Sequence, residues 1–329
     1  MPEPTMRSRS AVGRLRKSAI SLLRAAQPSA PLCLAPSASV APASFEMPPG
    51  ACDTHAHVIS GSTDFPMVLS RSYTPPPAPE ADYLAMLAAT GCARGVLIQI
   101  SVYGTDNRYL LEVLGRNPDR LRGVAVVAPE VTDRKLESLH AAGVRGLRIN
   151  VSFPGGGLSF GAMEILAGRI APLGWHMEFL TDGRELPGLL PRMRKLPCPG
   201  VLDHMGHMPA ALGTRHPAFL AMRELVAEHG WWAKLSGAYR LSDDYDGFKE
   251  VAPWAQALIA AAPERMVWGS DWPHVAMARM PDTGLLRNLL MDWAPDAASR
   301  MRILVDNPAR LYGFPARNDI SEASPGERT

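Results

Sequence analysis

Apolar segments rich in β-branched residues alternate along the chain with segments whose apolar residues have helical spacing. Eight of the apolar segments are typical of short buried strands, namely Ala51–His57, Arg94–Ile100, Leu121–Val127, Val144–Asn150, Trp175–Leu180, Gly200–Asp203, Trp231–Ser236 and Arg265–Gly269. The helical segments include Ala81–Ala89, Asn107–Arg116, Arg134–Ala142, Phe160–Leu173, Pro217–His229 and Trp254–Ala261. Eight strand–helix units in about 260 residues predict an α/β fold, a (β/α)8 TIM-type barrel with parallel strands. A doubly wound dinucleotide-binding sheet is disfavoured, because no GxGxxG follows the first strand.

Polar side chains concentrate where the predicted strands end. His55 and His57 are two residues apart in a strand, so they would project from the same face. Polar residues at the other strand ends are Gln99, Ser101, Arg148, Asn150, Glu178, Asp182, Asp203, His204, Lys234, Ser236 and Asp271. An unpaired buried polar group costs about 1–3 kcal/mol, so strand ends are apolar unless a site requires polar groups. We therefore predict an active site at the carboxyl ends of the strands, where barrel enzymes have theirs.

Composition separates a barrel-sized body from two polar ends. The chain has 329 residues, 47% of them hydrophobic, and a formal net charge of +2. Between Pro4 and Phe45 there are six basic residues and no acidic one, a composition that overlaps organellar transit peptides and, more weakly, export signals. We predict a disordered basic extension over residues 1–45, the barrel over residues 46–315 and a solvated tail over residues 316–329.

Cysteine usage and charge restrict the compartment and the partners. The four cysteines lie far apart without a CxxC pair, which is typical of reduced thiols. No apolar run approaches the roughly 20 residues that span a membrane. The basic extension lacks interleaved aromatic residues, so no nucleic-acid partner is expected. We expect a cytoplasmic protein that does not bind membranes; the extension leaves an organellar or exported location open, and a homo-oligomer is also left open.

The candidate chemistry rests on three imidazoles and one carboxylate: His55, His57, His204 and Asp271. Such a set suits a mononuclear Zn²⁺ site with an open water position. It also suits hydrolysis without a metal, in which Asp271 takes a proton from water while the imidazoles polarise a carbonyl oxygen. No GxSxG elbow is present, so a covalent serine route is disfavoured.

Three motifs resemble those of the amidohydrolase superfamily, in the branch called amidohydrolase family 2. They are DTHAH, VLDHMGH with His204 and VWGSDWPH with Asp271, and the likeness is colinear from about Pro49 to Phe314. Within the branch, the chain is similar to the 2-pyrone-4,6-dicarboxylate lactonase group. The resemblance implies that Asp271 activates the hydrolytic water, while His55, His57 and His204 hold the substrate carbonyl or a divalent metal. It therefore implies a hydrolase that opens a lactone of a small carboxylated compound.

The resemblance also implies substrate and metal contacts. The substrate-contacting positions correspond to Tyr73, Ser101, Arg148, Arg240 and His274. A guanidinium pairs bidentately with a carboxylate, so the two arginines would anchor the substrate acid. The resembling lactonases need no metal, and we expect no cofactor. If one divalent ion such as Zn²⁺ is used instead, its ligands would come from His55, His57, Glu178 and Asp271.

Two alternative functions stay open at the level of sequence. A zinc-dependent hydrolase or a decarboxylase of the same superfamily would use the same histidine and aspartate positions, and release of CO₂ would distinguish the decarboxylase. A catalytically inactive barrel could act as a binding protein. The presence of all four catalytic-type residues argues against the inactive barrel.

Overall fold

The described part of the protein, in a computed structural model, comprises residues 30–150 and 160–316, with only the backbone of Phe160. Its eight strands are β1 Cys52–Ala56, β2 Arg94–Ile98, β3 Leu121–Ala125, β4 Val144–Asn150, β5 His176–Leu180, β6 Gly200–Leu202, β7 Trp232–Leu235 and β8 Met266–Trp268. Every predicted strand is confirmed, with ends that differ by at most two residues from the sequence pattern.

The strands form one parallel sheet in the order β1 to β8, so that each strand pairs with its neighbours along the chain. The sheet curls into a nearly closed barrel, because β1 also bonds to β8 and to the segment that follows it. Thr54 Oγ1 donates to the Trp268 carbonyl over 2.9 Å, and the His57 amide donates to the Trp272 carbonyl over 2.8 Å. The predicted (β/α)8 barrel is confirmed.

Helices follow the strands and cover the barrel. Those in the described residues are α1 Glu80–Thr90, α2 Arg108–Arg116, α3 Asp133–Ala141, α4 Met163–Ile170, α5 Leu186–Met193, α6 Pro217–Glu228, α7 Ala238–Leu241, α8 Ala252–Ala261, α9 Thr283–Asn288, α10 Leu290–Trp293, α11 Ala297–Met301 and α12 Asn307–Tyr312. None of them is both long enough and apolar enough to cross a membrane. The main hydrophobic core lies between the strands and these helices.

The predicted boundary at residue 45 is wrong for the part of the extension that the structure describes. Residues 32–45 belong to the same compact unit as the barrel. The Ala41 amide donates to Asp282 Oδ1 over 3.0 Å, and the buried guanidinium of Arg287 donates to the Ala41 carbonyl over 2.9 Å. The Ser44 amide donates to Asn288 over 3.1 Å, so the segment is fixed along α9. Residues 1–29 and the tail beyond residue 316 lie outside the described residues.

Candidate active site

A polar pocket opens at the carboxyl ends of the strands. It is lined by His57, Tyr73, Ser101, Arg148, Asn150, Leu180, His204, Arg240, Asp271 and Val275. The barrel brings these residues together from β1, β2, β4, β5, β6, β7 and β8 or the loops that follow them. The concentration of polar groups seen in the sequence therefore corresponds to one cavity, in the position expected for this fold.

His55, in β1, and His57, directly after it, lie at different depths. His57 lines the pocket, and its Nδ1 lies 2.8 Å from the Ile98 carbonyl. His55 is fully buried beneath the pocket, with its Nε2 3.6 Å from Oδ1 of Asp271. Gly269 permits this packing, because a Cβ atom there would lie 2.6 Å from the Cβ of His55. The Nε2 atoms of both histidines point towards the same carboxylate oxygen, which is 3.7 Å from Nε2 of His57.

Asp53 lies two residues before His55 on β1, and its hydrogen bonds give it a structural role. Its carboxylate accepts hydrogen bonds from the amide and hydroxyl of Ser270, over 2.7 and 2.6 Å, and from the His55 amide. Burial raises the pKa of Asp53 to about 6, against the lowering effect of these donors. Asp53 thereby joins β1 to the residue directly before Asp271.

Asp271 lies at the centre of the site. Its Oδ2 accepts hydrogen bonds from Tyr239 Oη and Arg240 Nε, each over 2.6 Å. Burial by itself would raise the pKa of Asp271, but the positive charge of Arg240 outweighs it and holds that pKa well below its usual range. Oδ1 is the oxygen that faces His55 and His57, so it is the atom placed to accept a proton from a bound water.

His204 reaches the site through an unusual backbone. It follows β6 with a φ of 48°, and Met205 and His207 also have positive φ. Left-handed non-glycine residues cost of order 1–3 kcal/mol each and persist where the surrounding structure enforces them. Nδ1 of His204 is hydrogen-bonded to Ser236 Oγ over 2.9 Å, and its Nε2 lies 3.7 Å from Oδ2 of Asp271. Burial holds the pKa of His204 and of His57 well below the ordinary value, so both rings are neutral.

A buried group of charged residues lies beneath the pocket. Arg148 donates from Nε and Nη2 to Oδ2 of Asp203, over 3.2 and 3.0 Å. Lys234 Nζ lies 2.5 Å from Oε2 of Glu178 and 3.0 Å from Nδ1 of His55. Burial raises the pKa of Asp203, but the positive charges of Lys234 and Arg148 outweigh it and hold that pKa well below its usual range. Arg148 on β4 is paired in register with Glu178 on β5, so these two opposite charges lie side by side on neighbouring strands.

Four of the five predicted substrate-contacting residues line the pocket: Tyr73, Ser101, Arg148 and Arg240. Tyr73 Oη and Ser101 Oγ are 2.6 Å apart. His274 is different, because it is buried and is not part of the pocket wall among the described residues. Its Nδ1 bonds to Tyr239 Oη over 3.0 Å and its Nε2 to Thr283 Oγ1 over 2.9 Å. In this structure His274 therefore contacts Tyr239, and the substrate contact stays a prediction.

Sequence reasoning missed Tyr239 and gave no role to Lys234, and both residues contact the catalytic groups. Tyr239 follows Gly237, whose left-handed φ of 65° redirects the chain after β7, and no motif marks it. Lys234 was visible as a strand-end residue, but its contact with His55 depends on how β7 faces β1 across the barrel. A buried lysine on a strand was the available signal, because lysine is almost never fully buried unless it is paired.

Two overlapping groups of side chains could hold a metal ion. His55, His57 and Asp271 each offer a ligand atom within 4.8 Å of the others, and His55, Asp203 and His204 form a second such group. Imidazole and carboxylate are ligands that Zn²⁺ accepts. Nε2 of His55 is buried and has no hydrogen-bond partner in the described part of the chain. Glu178, the fourth predicted ligand, is bound instead by Lys234 and belongs to neither group.

The profile of the amidohydrolase family matches residues 52–314. This chain therefore belongs to the amidohydrolase family, as the three motifs indicated. The family match covers every strand of the barrel and all the residues that line the pocket.

Related proteins agree with this assignment. The chain is 40% identical over 299 residues to a 4-sulfomuconolactone hydrolase of Rhizobium radiobacter, covering 89% of this chain and 99% of that protein. It is 37% identical over 284 residues to a 2-pyrone-4,6-dicarboxylate hydrolase of Comamonas testosteroni, covering 82% and 92% of the two chains. A crystal structure of a probable 2-pyrone-4,6-dicarboxylic acid hydrolase of Acinetobacter baumannii, with citric acid bound, has a TM-score of 0.71 at 28% identity, covering 80% and 100%.

Proposed function

We propose that this protein is a hydrolase that opens the lactone ring of a small carboxylated compound. The observation that carries the proposal is Oδ1 of Asp271, which faces the Nε2 atoms of two histidines at the floor of a pocket that also contains two arginines. The names of the relatives support it, since both are hydrolases of carboxylated or sulfonated lactones. Arg148 and Arg240 suit a substrate that carries an acid group.

The hydrogen bonds of the histidines suggest how water is held. A carbonyl oxygen only accepts, so Nδ1 of His57 donates to Ile98, and its Nε2 carries a lone pair. Nε2 of His57 and Oδ1 of Asp271 are thus both acceptors, and a water between them would give one hydrogen to each. The family resemblance implied that all three imidazoles hold the substrate carbonyl or a divalent metal; the contact of His57 with Ile98 supports a role in holding the water.

The reaction then follows from the positions of the groups. Asp271 takes one proton from the water, and the water oxygen forms a bond to the lactone carbonyl carbon. His204 and His55 stabilise the negative charge that develops on the carbonyl oxygen. The bond between that carbon and the ring oxygen breaks, and Asp271 returns the proton to the departing oxygen. The product is an acyclic hydroxy acid or its keto tautomer, with no net change in oxidation state.

A second candidate is the same hydrolysis assisted by a metal ion. The group of His55, His57 and Asp271 supports it by donor type and spacing. A bound divalent ion would supply Lewis-acid polarisation of the lactone carbonyl. In both candidates Asp271 stays the proton acceptor and the arginines hold the substrate acid.

Ring-opening assays test the function and separate it from the alternatives. Purified protein is offered carboxylated lactones, including 2-pyrone-4,6-dicarboxylate and muconolactones, before and after treatment with a chelator, and its metal content is measured. We expect ring opening without CO₂ release. Release of CO₂ would identify a decarboxylase, and tight binding without turnover would identify a binding protein. Loss of activity on chelation, restored by about one zinc ion per chain, would favour the metal-assisted route.

A further inference from the structure

Lys234 is a fully buried lysine whose ammonium contacts the catalytic histidine from below. Nζ lies 2.5 Å from Oε2 of Glu178 and 3.0 Å from Nδ1 of His55. Lys234 and Glu178 are both completely excluded from solvent. Burying a charged lysine costs desolvation free energy, so the contacts of Lys234 need an explanation other than packing.

The contact with Lys234 determines which nitrogen of His55 carries the proton. An ammonium group has only donors, so Nδ1 of His55 must be the acceptor of that hydrogen bond. Oδ1 of Asp203 lies 3.2 Å from the same nitrogen, farther than Nζ of Lys234, and is itself 3.3 Å from Nζ, so the ammonium lies close enough to donate to both His55 and Asp203. With Nδ1 occupied as an acceptor, the N–H of the His55 ring is on Nε2.

We propose that Lys234 is a positioning residue that fixes His55 in the Nε2–H tautomer, and so makes it a hydrogen-bond donor and not a metal ligand. The inference rests on the proposed function, because the donor acts on the lactone carbonyl beside Asp271. His57 has the opposite tautomer, since its Nδ1 donates to Ile98. The two histidines of the HAH sequence therefore differ in role: His57 accepts from water, and His55 donates to the substrate.

This tautomer would remove one of the three ligands from the group of His55, His57 and Asp271. A histidine ligates through a lone pair, and Nε2 of His55 has none while Lys234 donates to Nδ1. If the lysine donor is removed, Oδ1 of Asp203 becomes the nearest partner of Nδ1 and favours a proton there. Nε2 of His55 would then join Nε2 of His57 and Oδ1 of Asp271 as a third ligand.

The test compares three full-length proteins: wild type, the double variant Lys234→Met/Glu178→Gln, and the control Glu178→Gln. The double variant removes the lysine and its buried counter-charge together, which avoids leaving one charge unpaired. The control removes the same carboxylate but keeps the lysine donor. The His55 tautomer is read from ¹⁵N chemical shifts of histidine-labelled protein, assigned with His55→Gln, and zinc affinity is measured by equilibrium dialysis with zinc alone.

We expect the Nε2–H tautomer in wild type and in the control, and the Nδ1–H tautomer in the double variant. Zinc should bind the double variant about 10–100-fold more tightly than wild type, the range typical of changes to the groups that orient a metal ligand. In a lactonase assay without metal, kcat should fall about 10²-fold with little change in KM, as when one oxyanion donor is lost.

An Nδ1–H tautomer in wild type would overturn the proposal, as would equal zinc affinity in the double variant and wild type. The tautomer and zinc measurements do not depend on the substrate. If wild type opened no lactone, the proposed function would fail, while these two measurements would still decide the role of Lys234.

Discussion

Nε of Arg240 donates to Oδ2 of Asp271 over 2.6 Å, so the arginine expected to hold the substrate acid is paired with the expected base. The guanidinium also lies over the ring of Tyr239, which donates to the same oxygen. The positive charge keeps Asp271 ionised and leaves Oδ1 as the oxygen that faces His55 and His57. This pairing links substrate binding and proton transfer, and it leads to a prediction about pH.

The activity should persist to low pH and depend on Arg240. Burial raises the pKa of Asp271, but Arg240 outweighs it and lowers that pKa well below the usual range, while burial lowers those of His57 and His204. The ionised carboxylate of Asp271 and the neutral rings of His57 and His204 are therefore kept as the pH falls. We expect kcat/KM to show no inflection near the ordinary histidine pKa of about 6.5. In Arg240→Met the pKa of Asp271 should rise, so the acid limb should move to higher pH.

The measurement is kcat/KM between about pH 4 and about pH 9 for both proteins, with buffers of constant ionic strength. The position of the limb is independent of any loss of substrate affinity in the variant. A wild-type inflection near neutrality, or the same limb in both proteins, would contradict the prediction.

Replacing Asp271 by Asn should remove the base without removing the fold. The amide cannot take a proton from water, so we expect kcat to fall by about 10²–10⁴-fold. Tyr239→Phe is the matched control, because it removes one hydrogen bond to Oδ2 and keeps the carboxylate. Its loss of kcat should be much smaller. Circular dichroism should report the same fold for both variants, and substantial turnover by the asparagine variant would exclude Asp271 as the base.

Arg148 has a structural partner as well as a predicted substrate role. It donates to the buried carboxylate of Asp203, whose other cationic neighbour is Lys234 Nζ at 3.3 Å, so Arg148→Met removes one of two buried counter-charges and should destabilise the fold by up to about 3–5 kcal/mol. We also expect KM for carboxylated lactones to rise strongly. The double variant Arg148→Met/Asp203→Asn should recover most of the stability while KM stays high. Denaturation curves and KM measured on the same samples check this; recovery of KM together with stability would show that Arg148 acts only through the fold.

The strands and the polar residues at their carboxyl ends could be predicted, because both depend on patterns among residues that are close together in the sequence. Period-two alternation placed His55 and His57 on one face, and the barrel rule placed His204 and Asp271 at the same end. The hydrogen-bonded state of each histidine could not be predicted. It depends on the Ile98 carbonyl for His57 and on Lys234 for His55, and these partners lie 41 and 179 residues away along the chain.

The same limit explains why His274 was assigned to the substrate. It lies three residues after Asp271 in the motif, but both of its ring nitrogens are hydrogen-bonded, to Tyr239 and Thr283, and it is not among the residues that line the described pocket. The segment over residues 32–45 has no strand or helix periodicity, so composition alone suggested disorder. Its partners, Asp282 and Arg287, are more than 240 residues away.

Gly284→Ala tests the packing of that segment on α9. A Cβ atom at Gly284 would overlap the backbone oxygen and nitrogen of Ala41, so in the full-length protein the alanine should destabilise by about 1–3 kcal/mol, as overpacking does. A chain that begins at Glu46 lacks Ala41, so nothing there would overlap the added Cβ atom. There the same substitution should stabilise by about 0.5–1 kcal/mol, because alanine is favoured over glycine inside a helix. The sign of the change in Tm should therefore reverse between the two chains, and the same sign in both would show that residues 32–45 do not pack on α9 in solution.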